Sequence, residues 1–204
     1  MVAKGRPRKF DTNEALDRAL TVFWQRGFEG ASLSDLTEAM GINRPSLYAA
    51  FGDKETLFRR ALDRYAEVGP LAVLHTALEQ PTTRRVVEHL LRGVAECFTA
   101  PGRPAGCLVV QGALSCGETA QAVKQELCCR RAAAEALLRE RLERAKAEGD
   151  LPPDADPATL SRYMAIVVQG MSVKAGDGAS RADLLAVVDM VLKSWPVSRA
   201  KSEA

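Results

Sequence analysis

The residues from 44 to 54 carry the chemistry needed to bind a nucleic acid. The guanidinium of Arg44 can donate two parallel hydrogen bonds to O6 and N7 of a guanine, and the ammonium of Lys54 suits a phosphate. Tyr48 offers a ring that can lie along a sugar-phosphate backbone and a hydroxyl that can donate to a phosphate. Pro45 and Ser46 suit a thymine methyl group or a phosphate. The segment therefore indicates a DNA-binding surface.

Two short helices and a glycine turn are predicted to position these side chains. Ser32 can cap the first helix and Asp35 completes a capping box, after which apolar residues recur at helical spacing until Gly41. Asn43 can cap the second helix, whose first turn tolerates the proline because the amide it lacks would be unpaired there. Leu47 and Phe51 then lie on its buried face. This pattern is typical of a helix-turn-helix, and Ser32 joins the candidate DNA contacts.

The segment resembles the N-terminal domain of the TetR family of transcriptional regulators. The matching residues are Gly27-Phe28, Ser32 to Ala39, Leu47-Tyr48, Phe51 and Lys54 to Phe58, and the match extends over residues 10 to 65. The resemblance implies an all-α fold, a phosphate-binding role for Lys54 and a backbone contact for Tyr48. The alternatives are an ordinary solvated lysine and a tyrosine packed between helices.

A basic segment precedes this domain. Residues 1–9 contain four basic residues and no acidic one, and Gly5 to Arg8 has the Gly-Arg-Pro core of a minor-groove clamp. We therefore predict that Arg6 and Arg8 contact DNA, although a short basic tail is also typical of a solvated chain end.

Composition restricts the class of protein. The chain has 204 residues, of which 47% are hydrophobic and 26% charged, so it can bury a sizeable core. The basic start leads into a polar segment, which argues against a signal peptide, and the apolar runs are too short to cross a bilayer. Five cysteines without a C-x-x-C pair argue against structural zinc. We expect a cytoplasmic protein with no cofactor, metal or membrane contact.

The whole chain is predicted to be all-α. Helices are expected at 12–26, 54–68, 82–99, 107–115, 118–148, 157–174 and 180–195 in addition to the helix pair. The expected domains are a DNA-binding domain at 1–53, a helical effector-binding and dimerisation domain at 54–195, and a flexible tail at 196–204.

The last two predicted helices carry more apolar surface than one small bundle needs. Because a single helix-turn-helix buries little DNA surface, we expect a homodimer that reads two half-sites. By resemblance, the dimer forms a four-helix bundle from these helices, although part of each stripe must be monomer core. The candidate interface residues are Leu160, Met164, Val168, Leu184, Val188, Val191, Leu192 and Trp195.

The middle helices are candidates for an effector pocket with apolar walls and a few polar groups. Each residue taken alone fits plain core better than it fits a pocket wall. By resemblance, a small-molecule effector bound there shifts the fourth helix and lowers DNA affinity. The candidate lining residues are Leu90, Val94, Phe98, Leu108, Gln111, Leu114, Tyr163 and Gln169.

Cys107 suggests a different mechanism of release. It lies at a predicted helix start, where the helix dipole can lower a thiol pKa, and Cys116 lies nine residues further on. Some TetR-family regulators with a similar Gly-Cys-Leu segment respond to oxidants or electrophiles through cysteine. Both cysteines are thus redox candidates, and inert packing is the alternative.

The sequence therefore favours a homodimeric repressor that binds a palindromic operator and is released by a small apolar effector. An oxidant-sensing or electrophile-sensing repressor on the same fold is the second hypothesis, and activation in place of repression stays open. An enzyme is disfavoured, since no catalytic fingerprint is present and neither histidine has a carboxylate partner at catalytic spacing. A helical interaction module with an idle DNA-binding surface is the remaining alternative.

Overall fold

The computed structural model describes residues 10–114 and 120–198, although not the side chains of residues 113 and 114. Within these ranges the chain forms ten α-helices and no strand, which confirms the all-α fold class. In chain order, the helices are α1 (Thr12–Gly30), α2 (Leu33–Met40), α3 (Arg44–Phe51), α4 (Lys54–Val68), α5 (Pro70–Leu78), α6 (Thr83–Phe98), α7 (Leu108–Leu114), α8 (Gln121–Ala147), α9 (Pro157–Gly176) and α10 (Arg181–Ser194).

Helices α1 to α3 form the N-terminal head and pack around aromatic side chains. Asp11 caps α1, and Gly27 interrupts this helix with a φ of 70°, so regular geometry ends at the residue where the sequence predicts it. Phe23 packs edge-on against Phe58 of α4, with 4.9 Å between ring centroids. Both rings are fully buried. The head and the start of α4 therefore share one core.

Helix α4 connects the head to the body. Its N-cap is Asp53, whose carboxylate accepts a 2.7 Å hydrogen bond from the backbone N–H of Thr56. Leu57 and Phe58 are buried against the head, and Leu62 and Tyr65 are buried one and two turns later against the body. One rigid helix thus contacts both parts of the molecule.

Helix α5 is missing from the sequence prediction. The helix predicted at 54–68 does end at Val68, but Pro70 also occupies the first position of a new helix. Because a proline lacks a backbone N–H, it fits the first turn of a helix as well as it stops the previous one. The end of one helix and the start of the next therefore share the same sequence signal, a proline.

The other body helices follow their capping signals. Thr82 caps α6, Asp156 caps α9, and Ser180 forms a capping box with Asp183 at the start of α10. Helix α6 lies at the centre of the body, with Val87, Leu91 and other apolar side chains fully buried. The start predicted for α8 at position 118 lies outside the described residues.

Candidate nucleic-acid interface and interior cavity

The helix pair α2 and α3 has the geometry that its caps predict. The hydroxyl of Ser32 accepts from the backbone N–H of Asp35, and the Asp35 carboxylate accepts from both the N–H and the hydroxyl of Ser32, at 3.0 and 2.7 Å. Gly41 ends α2 in the left-handed conformation, with φ at 66°. Asn43 caps α3 by accepting from the N–H of Ser46 at 2.9 Å. These local bonds fix the angle between the helices.

Helix α3 carries four of the six predicted DNA contacts that lie in the described residues. Arg44 and Pro45 are exposed, Ser46 is half-buried, and Tyr48 has 49% of its surface exposed, so it is not packed between helices. Leu47 and Phe51 lie on the opposite, buried face. Arg44, Pro45 and Tyr48 are therefore accessible to a partner, and Ser46 is partly accessible.

Two contacts that the sequence reasoning missed hold basic groups at this face. The Nη2 of Arg44 donates to the hydroxyl of Ser34 on α2 at 2.9 Å. The Nζ of Lys54, at the first position of α4, lies 4.6 Å from the centroid of the Phe28 ring. Partial burial lowers the pKa of Lys54, while the nearby Glu29 carboxylate acts in the opposite direction. Phe28 belongs to the Gly-Phe pair that carries the family resemblance, and this pair is the sequence signal that could have indicated the contact with Lys54.

Arg6 and Arg8 lie outside the described residues, so their predicted DNA contact stays a prediction.

Arg26 forms an ion pair that the sequence did not reveal, because its guanidinium lies 2.7 Å from the Asp35 carboxylate. Hydrogen bonds from Ser32 are the main reason that the pKa of Asp35 lies below its usual value, and the pairing with Arg26 lowers it further. The start of α2 is therefore held by both a cap and an ion pair.

An interior cavity of about 250 Å³ lies between α4, α5, α6, α8 and α9, with the start of α7 in its wall. Three predicted residues line it: Leu90, Val94 and Gln169. The walls that the sequence did not identify come from α4, α5 and α8, and include Leu62, Tyr65, Pro70, Leu71, Leu74, Ala134, Leu137 and Leu138. The missing α5 explains part of this difference.

Four other predicted lining residues lie elsewhere. Phe98 and Leu108 are buried in the core but do not reach the cavity, since close-packed neighbours enclose them. Gln111 turns away and donates from Nε2 to the carbonyl of Ser172 at 3.4 Å. Tyr163 is 40% exposed on the outer side of α9. The side chain of Leu114 lies outside the described residues.

Tyr65 is an unusual polar group in the cavity wall. Its side chain is only 3% exposed, and its hydroxyl has no hydrogen-bond partner within the described part of the chain. It faces the Cys107 thiol and the backbone N–H of Leu108 closely enough for both to influence its pKa, although neither contact has the geometry of a complete hydrogen bond. Burial is the main cause that raises the pKa of Tyr65 well above its ordinary value.

Cys107 differs from its expected chemistry. The sequence placed it at a helix start where the dipole lowers a thiol pKa, and it does precede α7, but burial raises the pKa and outweighs the hydrogen bonds that favour the thiolate. The expectation of a lowered pKa was therefore wrong. Cys116, its proposed partner, lies outside the described residues.

The predicted dimer residues lie mostly inside one chain. Met164 lines the cavity and is fully buried, Val168 also lines it, and Leu160 is partly buried against the core. The α10 residues Leu184, Val188, Val191, Leu192 and Trp195 are each at most 5% exposed. They pack against the body because α10 lies on α6. The stripe read as an interface is therefore monomer core.

Different residues form the outer apolar face of α9 and α10. The large apolar side chains exposed there are Tyr163, Ile166, Val173, Val187 and Met190, with Ile166 at 63% and Met190 at 64% exposure. Their helical spacing places those of α9 on one face and those of α10 on another. Exposed apolar side chains that share one face of a helix are typical of a protein interface.

Three contacts connect the cavity to the head through α4. The guanidinium of Arg130, a cavity-lining residue of α8, donates to the Asp63 carboxylate at 2.6 Å. One helical position later, Arg64 binds Asp17 of α1 at 2.8 Å. The Tyr65 ring packs edge-on against Trp24 of α1, with centroids 4.8 Å apart. A change in the cavity thus acts on a helix that is tied to the head.

Other classes of site find no support in the described residues. No cluster of three or more histidine, cysteine or acidic side chains at positions 10–114 or 120–198 is arranged to hold a metal ion. Of the helices in these ranges, none combines the length and apolar character of a membrane span.

Two family models match the chain. The description "Bacterial regulatory proteins, tetR family" covers residues 15–61, and "Tetracyclin repressor-like, C-terminal domain" covers residues 83–180. The first match contains α2, α3 and the start of α4, and the second contains most of the body.

Relatives and solved structures agree with these matches. The HTH-type transcriptional repressor ComR of Escherichia coli strain K12 is 36% identical over 197 residues, which cover 95% of this chain and 93% of ComR. The repressor BdcR of the same strain is 34% identical, with 91% and 89% coverage. A cysteine mutant of the regulator CifR, solved with 26-bp double-strand operator DNA, is 46% identical with a TM-score of 0.89, covering 94% of this chain and all of that one.

Proposed function

The chain belongs to the TetR family of helix-turn-helix transcriptional repressors, and we propose that it is a homodimer that binds a palindromic operator and is released by a small apolar molecule. Family membership confirms that it is a DNA-binding regulator and not an enzyme. We expect it to act in the cytoplasm, where its operator lies.

The outward face of α3 is the observation that carries the DNA-binding part of the proposal. Arg44 and Tyr48 project from a helix whose opposite side is buried, and Lys54 lies at the first position of α4. The positive end of the helix dipole favours a phosphate there, and the ammonium adds a full charge. The solved complex of the relative CifR with operator DNA supports the same use of this domain.

The outer apolar face of α9 and α10 supports dimerisation. Ile166 and Met190 are the most exposed large apolar side chains of the described residues, and Tyr163, Val173 and Val187 extend the same surface. Covering it with a second copy removes this apolar area from water and presents two α3 helices to one duplex. These five residues replace the buried stripe as the proposed interface.

The cavity supports release by a ligand. Its walls are mostly apolar, and they include Tyr65 and Arg130, both of which contact residues of α1 or α4. A ligand that binds more tightly to a conformer with a shifted α4 favours that conformer and so lowers operator affinity. By linkage, operator DNA lowers the affinity for the ligand by the same factor.

Operator binding tests the proposal directly. The purified protein should shift a labelled duplex from its own upstream region, with half-maximal binding in the nanomolar range at physiological salt. The Arg44→Ala variant should bind that duplex more weakly than the wild type, while Arg139→Ala, which changes an exposed arginine on α8, should not. If the wild type binds this duplex no better than a scrambled one at low salt, the DNA-binding proposal is wrong.

A thiol switch is the second candidate, because Cys107 lies in the cavity wall and not in remote core. An α,β-unsaturated electrophile that enters the cavity would form a bond between its β-carbon and the Cys107 sulfur, while its carbon–carbon double bond becomes single and the thiol proton is transferred to its α-carbon. The raised pKa keeps most of this thiol protonated at neutral pH, so the thiolate that reacts is scarce. For this reason noncovalent release is the leading proposal.

A further inference from the structure

The cavity contains one buried polar atom that the protein itself leaves unsatisfied, the hydroxyl of Tyr65. A buried hydroxyl without a partner is unfavourable, because it has lost its hydrogen bonds to water. Tyr65 is 3% exposed, so solvent has little access to it, and its ring packs edge-on against Trp24. The atom is therefore held in place before any ligand arrives.

Three other polar side chains of the wall already have partners. Arg130 binds Asp63 and Glu126, and Arg131 donates to the Val109 carbonyl at 2.9 Å. Ser161 donates to a backbone carbonyl of its own helix at 3.0 Å.

The two remaining polar side chains of the wall are Glu135 and Gln169. Glu135 lies 3.9 Å from the guanidinium of Arg162. Gln169 forms no hydrogen bond with the described residues, but it is only partly buried, so water can reach it. Neither Glu135 nor Gln169 offers a dry, unpaired charge to a ligand.

Of the two facing groups, Tyr65 and Cys107, the Tyr65 hydroxyl would gain the stronger hydrogen bond from a ligand. Cys107 faces it, but a thiol is a weak acceptor and a weak donor. An oxygen acceptor placed beside Tyr65 would accept this proton with normal geometry. The size of the cavity, about 250 Å³, suits a molecule larger than benzene, which fills dry cavities of about 150 Å³.

We propose that the cavity binds a compact, mostly apolar molecule with one hydrogen-bond-accepting oxygen, and that the Tyr65 hydroxyl donates to this oxygen. The inference rests on the repressor function proposed above and names the class of its effector. Tyr65 selects the acceptor, and the apolar walls formed by Leu62, Leu74, Leu90 and Val94 select the rest of the molecule.

A matched pair of probes tests the acceptor. Acetophenone carries a carbonyl where α-methylstyrene carries a methylidene group of similar shape. Titration calorimetry of the full-length protein should show that the ketone binds about fivefold more tightly, which is the effect of one neutral hydrogen bond. Equal affinity for the two compounds, or no binding of either up to its solubility limit, would overturn the proposal.

Two conservative variants locate the donor. Tyr65→Phe removes only the unpartnered hydroxyl, so the protein should fold and should bind both probes with the affinity that the wild type has for the alkene. Tyr163→Phe removes the same atom from the exposed tyrosine outside the cavity and should keep the fivefold preference. A preference that survives in Tyr65→Phe contradicts the proposed donor. The wild-type comparison decides the ligand class even if a variant does not fold.

Operator binding by the unliganded protein separates this inference from the function on which it rests. If the protein binds its operator but shows no ketone preference, only the ligand class is wrong. If it fails to bind the operator, the repressor function is wrong, and the calorimetry still measures whether the cavity prefers an acceptor.

Discussion

The ammonium of Lys54 lies 4.6 Å from the centroid of the Phe28 ring, so the first residue of α4 is held against the last turn of α1. A cation over an aromatic face gains about 0.5–1 kcal/mol at such a site. The contact restricts a flexible side chain at a helix N-terminus, where a phosphate is already favoured. Lys54 is thus positioned before DNA is present.

Lys54→Gln should weaken operator binding about five- to tenfold, since it removes one phosphate contact and keeps most of the side-chain length. The slope of log affinity against log salt should become shallower by about one. Fluorescence anisotropy with a labelled operator at several salt concentrations measures both values. Lys174→Gln, on the exposed side of α9, is the matched control and should leave the slope unchanged. An unchanged slope in Lys54→Gln would remove this residue from the interface.

Gly41→Ala should destabilise the protein by about 1–2 kcal/mol, because φ at this position is 66° and an alanine there is strained. Gly149 has a φ of 75° and open space around it, so Gly149→Ala should lose a similar amount in urea unfolding. Only the change at position 41 lies between α2 and α3. We therefore expect Gly41→Ala alone to reduce operator affinity at temperatures where both variants are folded.

Comparison of the sequence with the structure shows which features are local. The capping boxes at Ser32 and Ser180 were predictable because each depends on residues three positions apart. The direction of an apolar stripe was not, since periodicity places Val188 and Met190 on different faces of α10 without indicating which face meets the body. The position of the Tyr65 hydroxyl depends on packing between several helices. The cavity and the interface therefore required the structure.

Cys107 should react more slowly with N-ethylmaleimide than the exposed Cys129, by at least about tenfold at pH 7. The raised pKa means that the reactive thiolate becomes more abundant as the pH increases toward that pKa, so the rate at Cys107 should rise from pH 7 to pH 9. Mass spectrometry of the intact protein and its peptides measures the rate at each site.

Cys107→Ser should bind operator DNA as the wild type does and should keep its release by a noncovalent ligand. Cys129→Ser is the matched control for a thiol outside the cavity wall. If peroxide or N-ethylmaleimide releases the wild type and Cys129→Ser from DNA but not Cys107→Ser, the thiol switch is supported and the noncovalent proposal loses its priority.

The apolar surface of α9 and α10 leads to a prediction about assembly. Ile166→Asp and Met190→Glu introduce a carboxylate at the two most exposed large apolar positions, where the folded monomer tolerates a charge because water surrounds it. In a dimer the same charge would be buried without a partner, at a cost of several kcal/mol. Sedimentation velocity at micromolar concentration should therefore show folded monomers for both variants and a dimer for the wild type.

A control on α10 distinguishes loss of the interface from loss of the fold. Lys193 is exposed on the same helix, so Lys193→Glu introduces a carboxylate beside the proposed surface and should leave a dimer. Since each half-site contact is weak alone, the monomeric variants should lose at least about a hundredfold in operator affinity while keeping the helical content of the wild type. Dimers that persist in both Ile166→Asp and Met190→Glu would place the interface on another face, and the two α3 helices would then need a different arrangement to reach one duplex.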